Sequence, residues 1–371
     1  MTTQLIGARI KALREERKLS QDDLARLFGF KDRQTISAIE TGERRVTADE
    51  LLLAVEKLGA SLDYFTDPFL LVGEGRFSWR QTNVGSGVLG AYERNAGRWI
   101  AAFRAIAPQV GRASPLLRRA LGLTRHSRFE DAMEAGERFA AEFDLGEVPA
   151  RRLAEVMERE LGILVLMVDA FEGISGAACR LPELDVVLIN RHEVVGRRHF
   201  DLAHELFHIF TWDAMPPDHS EEAKEVGGNR VEQFANNFAS AVLMPKAALA
   251  RYGEWAELGD DELVVRLNTA AGELLVTASA LKWRLVALDW LKPARARAIS
   301  DAALRNNGDT GREAPKAVPP LLFSKPFMEV ISLAIEEGRV STRRAAGLLD
   351  LTVEDLTDLF AAHGVEPPAE L

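Results

Sequence analysis

Two histidines one helical turn apart, His204 and His208, with Glu205 after the first, lie inside a run of apolar residues, and that run limits what the surrounding chain can become. Phe200, Leu202, Ala203, Leu206, Phe207, Ile209 and Phe210 cover more than one face of any helix through this stretch, so such a helix is buried. Positions i and i+4 stand one above the other, which lets both imidazoles bite one metal, while Glu205, about 100° round, reaches a water on it. That is the layout of metal-assisted hydrolysis. The alternative makes the two histidines ordinary helix residues, but two imidazoles and a carboxylate would then be desolvated for no evident reason.

A metal here must use nitrogen and oxygen ligands, because the chain has one cysteine, Cys179, which excludes both a thiolate zinc site and an internal disulfide framework. Catalytic zinc takes three protein ligands and leaves a position for water. Candidates for the third ligand are Asp213, Asp218, His219, Glu221, Glu222, Glu225 and Glu232. All but the last fall in a polar, proline-containing loop, where a solvated surface is the plainer explanation. Glu232 opens a helix whose Phe234, Ala235, Phe238, Ala239, Val242 and Leu243 form an apolar face, and its i+4 neighbour is Asn236.

The 371 residues suffice for two or three domains with cores of their own, and 47% hydrophobic with 27% charged residues is the balance of a soluble globular protein. No apolar run approaches a membrane span and the N-terminus does not read as a signal peptide, so a cytoplasmic protein is expected. A net charge of −10 argues against coating nucleic acid non-specifically. A local DNA-reading face is still compatible, since residues 1–66 carry 11 basic and 11 acidic side chains and are neutral.

Residues 1–66 read as five short helices. Ser20 is an N-cap before Gln21 to Phe28, Gly29 is a stop, and a tight turn leads into Arg33 to Glu40. Two helices joined by a tight glycine-containing turn make a helix-turn-helix. Arg33, Gln34, Thr35 and Ser37 are donors on the second helix, where Gln can pair with adenine and Arg with guanine or phosphate. Ser20, Gln21, Arg44 and Arg45 are placed to clamp phosphates. A small helical packing or dimerisation module is the alternative.

The strings Leu19-Ser-Gln-x-x-Leu-Ala25 and Thr35-Ile-Ser-x-Ile-Glu-x-Gly42 resemble the phage-repressor (XRE, Cro/CI-like) helix-turn-helix family. The resemblance implies double-stranded DNA as a partner of residues 1–66, read by a homodimer. A second resemblance rests on Arg197-x-His-Phe-Asp-Leu-Ala-His-Glu-Leu-Phe-His208 followed by Glu232-x-x-Ala-Asn-x-Phe-Ala-x-x-Val-Leu-Met-Pro245, which is similar to the ImmA/IrrE family of zinc metallo-endopeptidases. It implies Zn2+ held by His204, His208 and Glu232, Glu205 as general base, and a protein substrate, typically a repressor whose cleavage serves a stress or mobile-element response. Asn236 or a nearby carboxylate would orient a ligand. His192, His219 and Tyr252 are the candidates for stabilising the transition state, with nothing in the spacing to choose among them.

The expected fold is mostly α with a small β-sheet (α+β). Strand-like runs at 163–168, 173–179 and 185–189 precede the histidine helix. The expected organisation is an XRE-type domain over 1–68, a connector and helical region over 69–159 with 70–97 irregular, a zincin-like peptidase with a trailing helical unit over 160–290, a linker over 291–320, and a helical region over 321–371 that binds DNA or docks. The rival to a peptidase is a transcription regulator whose zincin-like domain senses a ligand or partner without cutting.

Overall fold

The computed structural model describes residues 2–113, 116–222, 229–305 and 318–368. The first five helices are α1 (Thr2–Glu16), α2 (Gln21–Phe28), α3 (Arg33–Glu40), α4 (Ala48–Leu58) and α5 (Leu62–Thr66). Their ends follow from side-chain chemistry. Ser20 and Thr47 form capping boxes with Asp23 and Glu50, Asp32 accepts from the Gln34 and Thr35 amides, and Gly29 ends α2 in the left-handed region. Ile10, Leu24, Ile36, Ile39, Leu58 and Phe65 form a separate small core.

Strand β1 (Arg76–Gln81) and the long helix α6 (Ser86–Ile106) come next. This corrects the expectation of an irregular connector over 70–97. Helices α7 (Phe129–Glu142) and α8 (Leu153–Arg159) lead into strands β2 (Leu164–Val168), β3 (Ile174–Arg180) and β4 (Asp185–Asn190), then α9 (Val195–Thr211), a short strand β5 (Ser220–Glu222) and α10 (Arg230–Leu243). The remaining helices are α11 (Lys246–Ala250), α12 (Asp260–Leu274), α13 (Ala278–Ala287), α14 (Pro293–Ala298), α15 (Lys325–Glu336), α16 (Thr342–Leu349) and α17 (Val353–His363). The expected linker thus contains α14, and its residues 306–317 lie outside those described.

The five strands form one sheet in the order β2-β4-β3-β1-β5. β3 is antiparallel to both β1 and β4, while β2 with β4 and β1 with β5 are parallel pairs. Because side chains alternate along a strand, the sheet feeds two cores. Val165, Ala178, Val187 and Ile189 join the core containing α7, α9 and α10. Leu164, Leu166, Ala177, Cys179, Phe77 and Trp79 join the other, with α6 and the C-terminal helices. Phe103 of α6 stacks on Phe327 of α15 with ring centroids 5.9 Å apart, so the C-terminal region is built onto the sheet's second face. The fold is α+β, as the strand and helix patterns predict.

Alternation has a second consequence. With Phe77 and Trp79 on the α6 side, Ser78 and Arg80 of the same strand face α9.

The N-terminal bundle is joined to this body by a buried ionic contact. Arg9 of α1 donates from Nε to Glu74 at 3.0 Å, from Nη1 to the Tyr64 carbonyl at 2.8 Å and from Nη2 to the Leu70 carbonyl at 2.6 Å. Arg104 of α6 approaches the same Glu74 at 3.8 Å. Gly73, at φ +72°, lies so close to α1 that a Cβ there would stand 2.3 Å from the Ala12 methyl.

Candidate metal centre

α9 is buried from Asp201 to Thr211, so His204, Glu205 and His208 all point into protein. Facing them is α10, whose N-terminus is fixed by Asn229. That side chain accepts from the amides of Val231 and Glu232 and so sets Glu232 in the first turn, where the helix dipole favours a carboxylate. α7 braces α10 from behind, at a contact so close that a Cβ on Gly136 would stand 2.6 Å from the Phe238 carbonyl oxygen. Phe139, Phe207 and Phe210 surround the Phe238 ring at centroid distances of 6.2, 5.7 and 6.5 Å.

Three ligand-type side chains meet between α9 and α10. His204 Nε2 is 3.2 Å from Glu232 Oε2, His208 Nε2 is 3.1 Å from Glu232 Oε1, and the two Nε2 atoms are 3.1 Å apart. Among the described residues this is the only such group of histidines, cysteines or carboxylates. Three ligands at about 2.0–2.1 Å on a tetrahedral zinc stand about 3.3–3.4 Å from one another, and the spacings between the two Nε2 atoms and from each to its nearer Glu232 oxygen come within a few tenths of an ångström of that.

The protonation states suit a cation too. His204 Nδ1 lies 3.0 Å from Asn236 Oδ1, so Nδ1–H donates to the amide oxygen and the Nε2 lone pair faces the cluster. Burial, reinforced by the nearby Arg80 guanidinium, pushes His204 down to about 4, which keeps it neutral. Glu205 is almost fully buried against β3, where the Ala178 amide donates to it. Burial pushes its carboxyl well above the usual range, with Arg80 pulling the other way and Glu232 and Asp201 adding to the rise. Asp201, three residues before His204, is raised to about 6 by burial.

The side chain that sequence reasoning missed is Arg80. It enters from β1, buried, with Nη1 2.9 Å from both ring nitrogens of His204 and 3.9 Å from Glu232 Oε2. Its Nε is 3.1 Å from Asp201 Oδ1. The three candidates for transition-state stabilisation are engaged elsewhere. His192 pairs with Asp169 at 2.5 Å, His219 with Glu93 at 2.7 Å, and the Tyr252 hydroxyl donates to Glu273 at 2.9 Å. Of the rival third ligands, Asp213 pairs with Arg180 at 3.1 Å and Glu225 lies outside the described residues.

In the N-terminal bundle, Arg33 and Gln34 are exposed at the start of α3, Thr35 and Ser37 are half-buried, Ser20 caps α2 and Arg45 is exposed. Two of the expected phosphate clamps are occupied internally. Gln21 donates to Glu40 at 2.9 Å, and Arg44 forms a two-pronged pair with Glu50 at 2.7 and 3.0 Å.

Residues 10–65 match a helix-turn-helix family model, and residues 158–285 match the M78 peptidase model described as the IrrE N-terminal-like domain. No curated protein matches the chain. Among solved structures, the apo form of the competence regulator ComR from Streptococcus vestibularis aligns with 99% of this chain and 100% of its own at 10% identity, with a TM-score of 0.17. PrgX aligns at 11% identity over 98% of this chain and 96% of its own, TM-score 0.16. The PrgX/iCF10 complex aligns at 12% identity over 98% of each chain, also at 0.16. TM-scores this low leave the architecture to be read from this chain alone. No helix among the described residues is long and apolar enough to cross a membrane. The chain thus carries an XRE-type helix-turn-helix module over residues 10–65 and an IrrE/ImmA-like domain of the M78 peptidase family over residues 158–285.

Proposed function

We propose that this chain is a DNA-binding regulator with zinc-dependent endopeptidase activity, cutting a protein, in the first place a repressor, in a stress or mobile-element response. The observation that carries the reading is the triangle of His204 Nε2, His208 Nε2 and Glu232 with Glu205 buried beside it. The three ligand residues would hold the metal. When bound, zinc supplies Lewis acidity that polarises a carbonyl and acidifies water. Glu205, held by the Ala178 amide, would take a proton from the attacking water at a carboxylate oxygen and pass it to the nitrogen of the leaving amine. Asn236 would keep His204 in the tautomer with a free Nε2. Apolar walls from α7, α9 and α10 exclude bulk water from the back of the site.

Arg33, Gln34, Thr35 and Ser37 would read base edges, with Ser20 and Arg45 on phosphates, in a cytoplasmic homodimer, and Gln21 and Arg44 would join them only by leaving Glu40 and Glu50. The domain boundaries we propose follow the sequence reading, with residues 76–106 and 325–363 added to the body of the peptidase because they share its sheet and second core.

A second reading, a regulator that senses a ligand and cuts nothing, draws on the Arg9–Glu74 contact that ties the DNA module to the segment just before β1. Glu205→Gln separates the two. Incubated with neighbouring repressor-type proteins, the zinc-loaded wild type should give a discrete cut and Glu205→Gln none, with zinc content and DNA binding kept. Equal cleavage by both removes Glu205 as the base, and a wild type that cleaves nothing while still inducing target genes favours the sensor.

A further inference from the structure

Negative charge at the metal centre exceeds what its ligands need. Asp201, Glu205 and Glu232 are three carboxylates only 0, 1 and 6% exposed, and the cation buried with them is Arg80, at 6%. Arg197 also reaches Asp201 Oδ2, at 3.8 Å, but its side chain is 35% exposed and its charge is shared with water.

Arg80 is held there by few hydrogen bonds. Its Nη1 lies 2.9 Å from both ring nitrogens of His204, and since Nδ1 carries the proton given to Asn236, only Nε2 can accept from it. Its Nε, despite lying 3.1 Å from Asp201 Oδ1, has no hydrogen-bond partner among the described residues, and neither Asp201 oxygen has one. Leaving the Nε donor unmade in a buried site is costly. What keeps Arg80 in place is charge. With all three carboxylates ionised, as they would be beside a bound dication, the one guanidinium leaves two negative charges over, the complement of one divalent cation.

We propose that Arg80 is the resident cation of the metal centre and sets how tightly a divalent metal is held there. The inference rests on His204, His208 and Glu232 being the ligands. Arg80 stands within one ligand spacing of His204 Nε2, so it opposes an incoming dication while neutralising the carboxylate that the three ligands do not offset. The metal is thereby held less tightly than a cluster of three buried carboxylates would hold it alone. Because β1 precedes residues 158–285, this control is supplied from outside the segment matching the peptidase family.

The test is zinc affinity of the full chain, measured by competition with a chromophoric chelator, together with thermal midpoints with and without zinc. Arg80→Gln should bind zinc at least about tenfold more tightly than wild type, since one opposing charge at close range in a poorly screened site is gone. Its metal-free form should melt lower and gain more from zinc. Arg80→Lys, which keeps the charge, should stay within a few-fold of wild type. Asp201→Asn removes a negative charge from the same cluster and should weaken zinc, an independent check if Arg80→Gln does not fold. Unchanged or weaker binding by Arg80→Gln, or unchanged binding by Asp201→Asn, in a protein whose wild type binds zinc, overturns the proposal and leaves the metal reading intact. If neither wild type nor Arg80→Gln binds zinc, the metal reading fails and the proposal with it.

Discussion

Glu158 should make the stability of this protein depend on pH near neutrality. It sits on α8 beside β2 and α15, and its Oε1 is buried without a hydrogen-bond partner. Burial pushes its carboxyl from 4.5 up to about 7. Between those values the folded protein keeps the proton that the unfolded chain has lost, so stability falls as pH rises through this window and levels off above about 7. At about 1.4 kcal/mol per tenfold change in acidity the full loss comes to roughly 3 kcal/mol, an upper bound because a strained site relaxes. Glu158→Gln retains the shape and cannot ionise. In urea titrations followed by tryptophan fluorescence, the variant should match wild type near pH 5 and exceed it by roughly 2–3 kcal/mol at pH 8, the gap opening between pH 5 and 7. A gap that is the same at pH 5 and pH 8 refutes the assignment of this dependence to Glu158.

Other outcomes follow from the contacts already described. Arg9→Met leaves Glu74 buried with a weaker partner and should cost about 3–5 kcal/mol at the junction, read as earlier proteolytic release of the N-terminal bundle. Asn236→Ala removes the group orienting His204 and should weaken zinc about 10–100-fold without unfolding α10, checked by chelator competition and circular dichroism. In DNA binding, Gln34→Ala should relax preference at one base pair at a cost of about 1–3 kcal/mol. Arg45→Ala should weaken all sequences alike and lower the salt slope by about one, seen in fluorescence anisotropy over a salt series.

The helices around the site were legible because their signals are local. The i, i+4 histidines in an apolar run mark α9, Glu232 opens an apolar face on α10, and Ser20 caps α2 where the sequence places its N-cap. β2, β3 and β4 appeared as apolar runs because both faces of the sheet are covered. β1 is buried on both faces as well, but its α9 side carries Ser78 and Arg80, so the run Arg-Phe-Ser-Trp-Arg-Gln shows no continuous apolar stretch. Its signal was the alternation of Phe77 and Trp79, and a polar residue between aromatics reads as surface unless the site behind it is known. Arg80 was missed for that reason: what it meets is 124 residues away in sequence.

Peptidase chemistry at this site requires that His204, His208 and Glu232 hold a metal. Metal analysis of the chain purified without chelators should give about one zinc per chain, falling to near zero in His208→Ala and Glu232→Ala while both variants keep wild-type helix content. No bound zinc in wild type after zinc loading, or full occupancy retained in Glu232→Ala, would contradict the account.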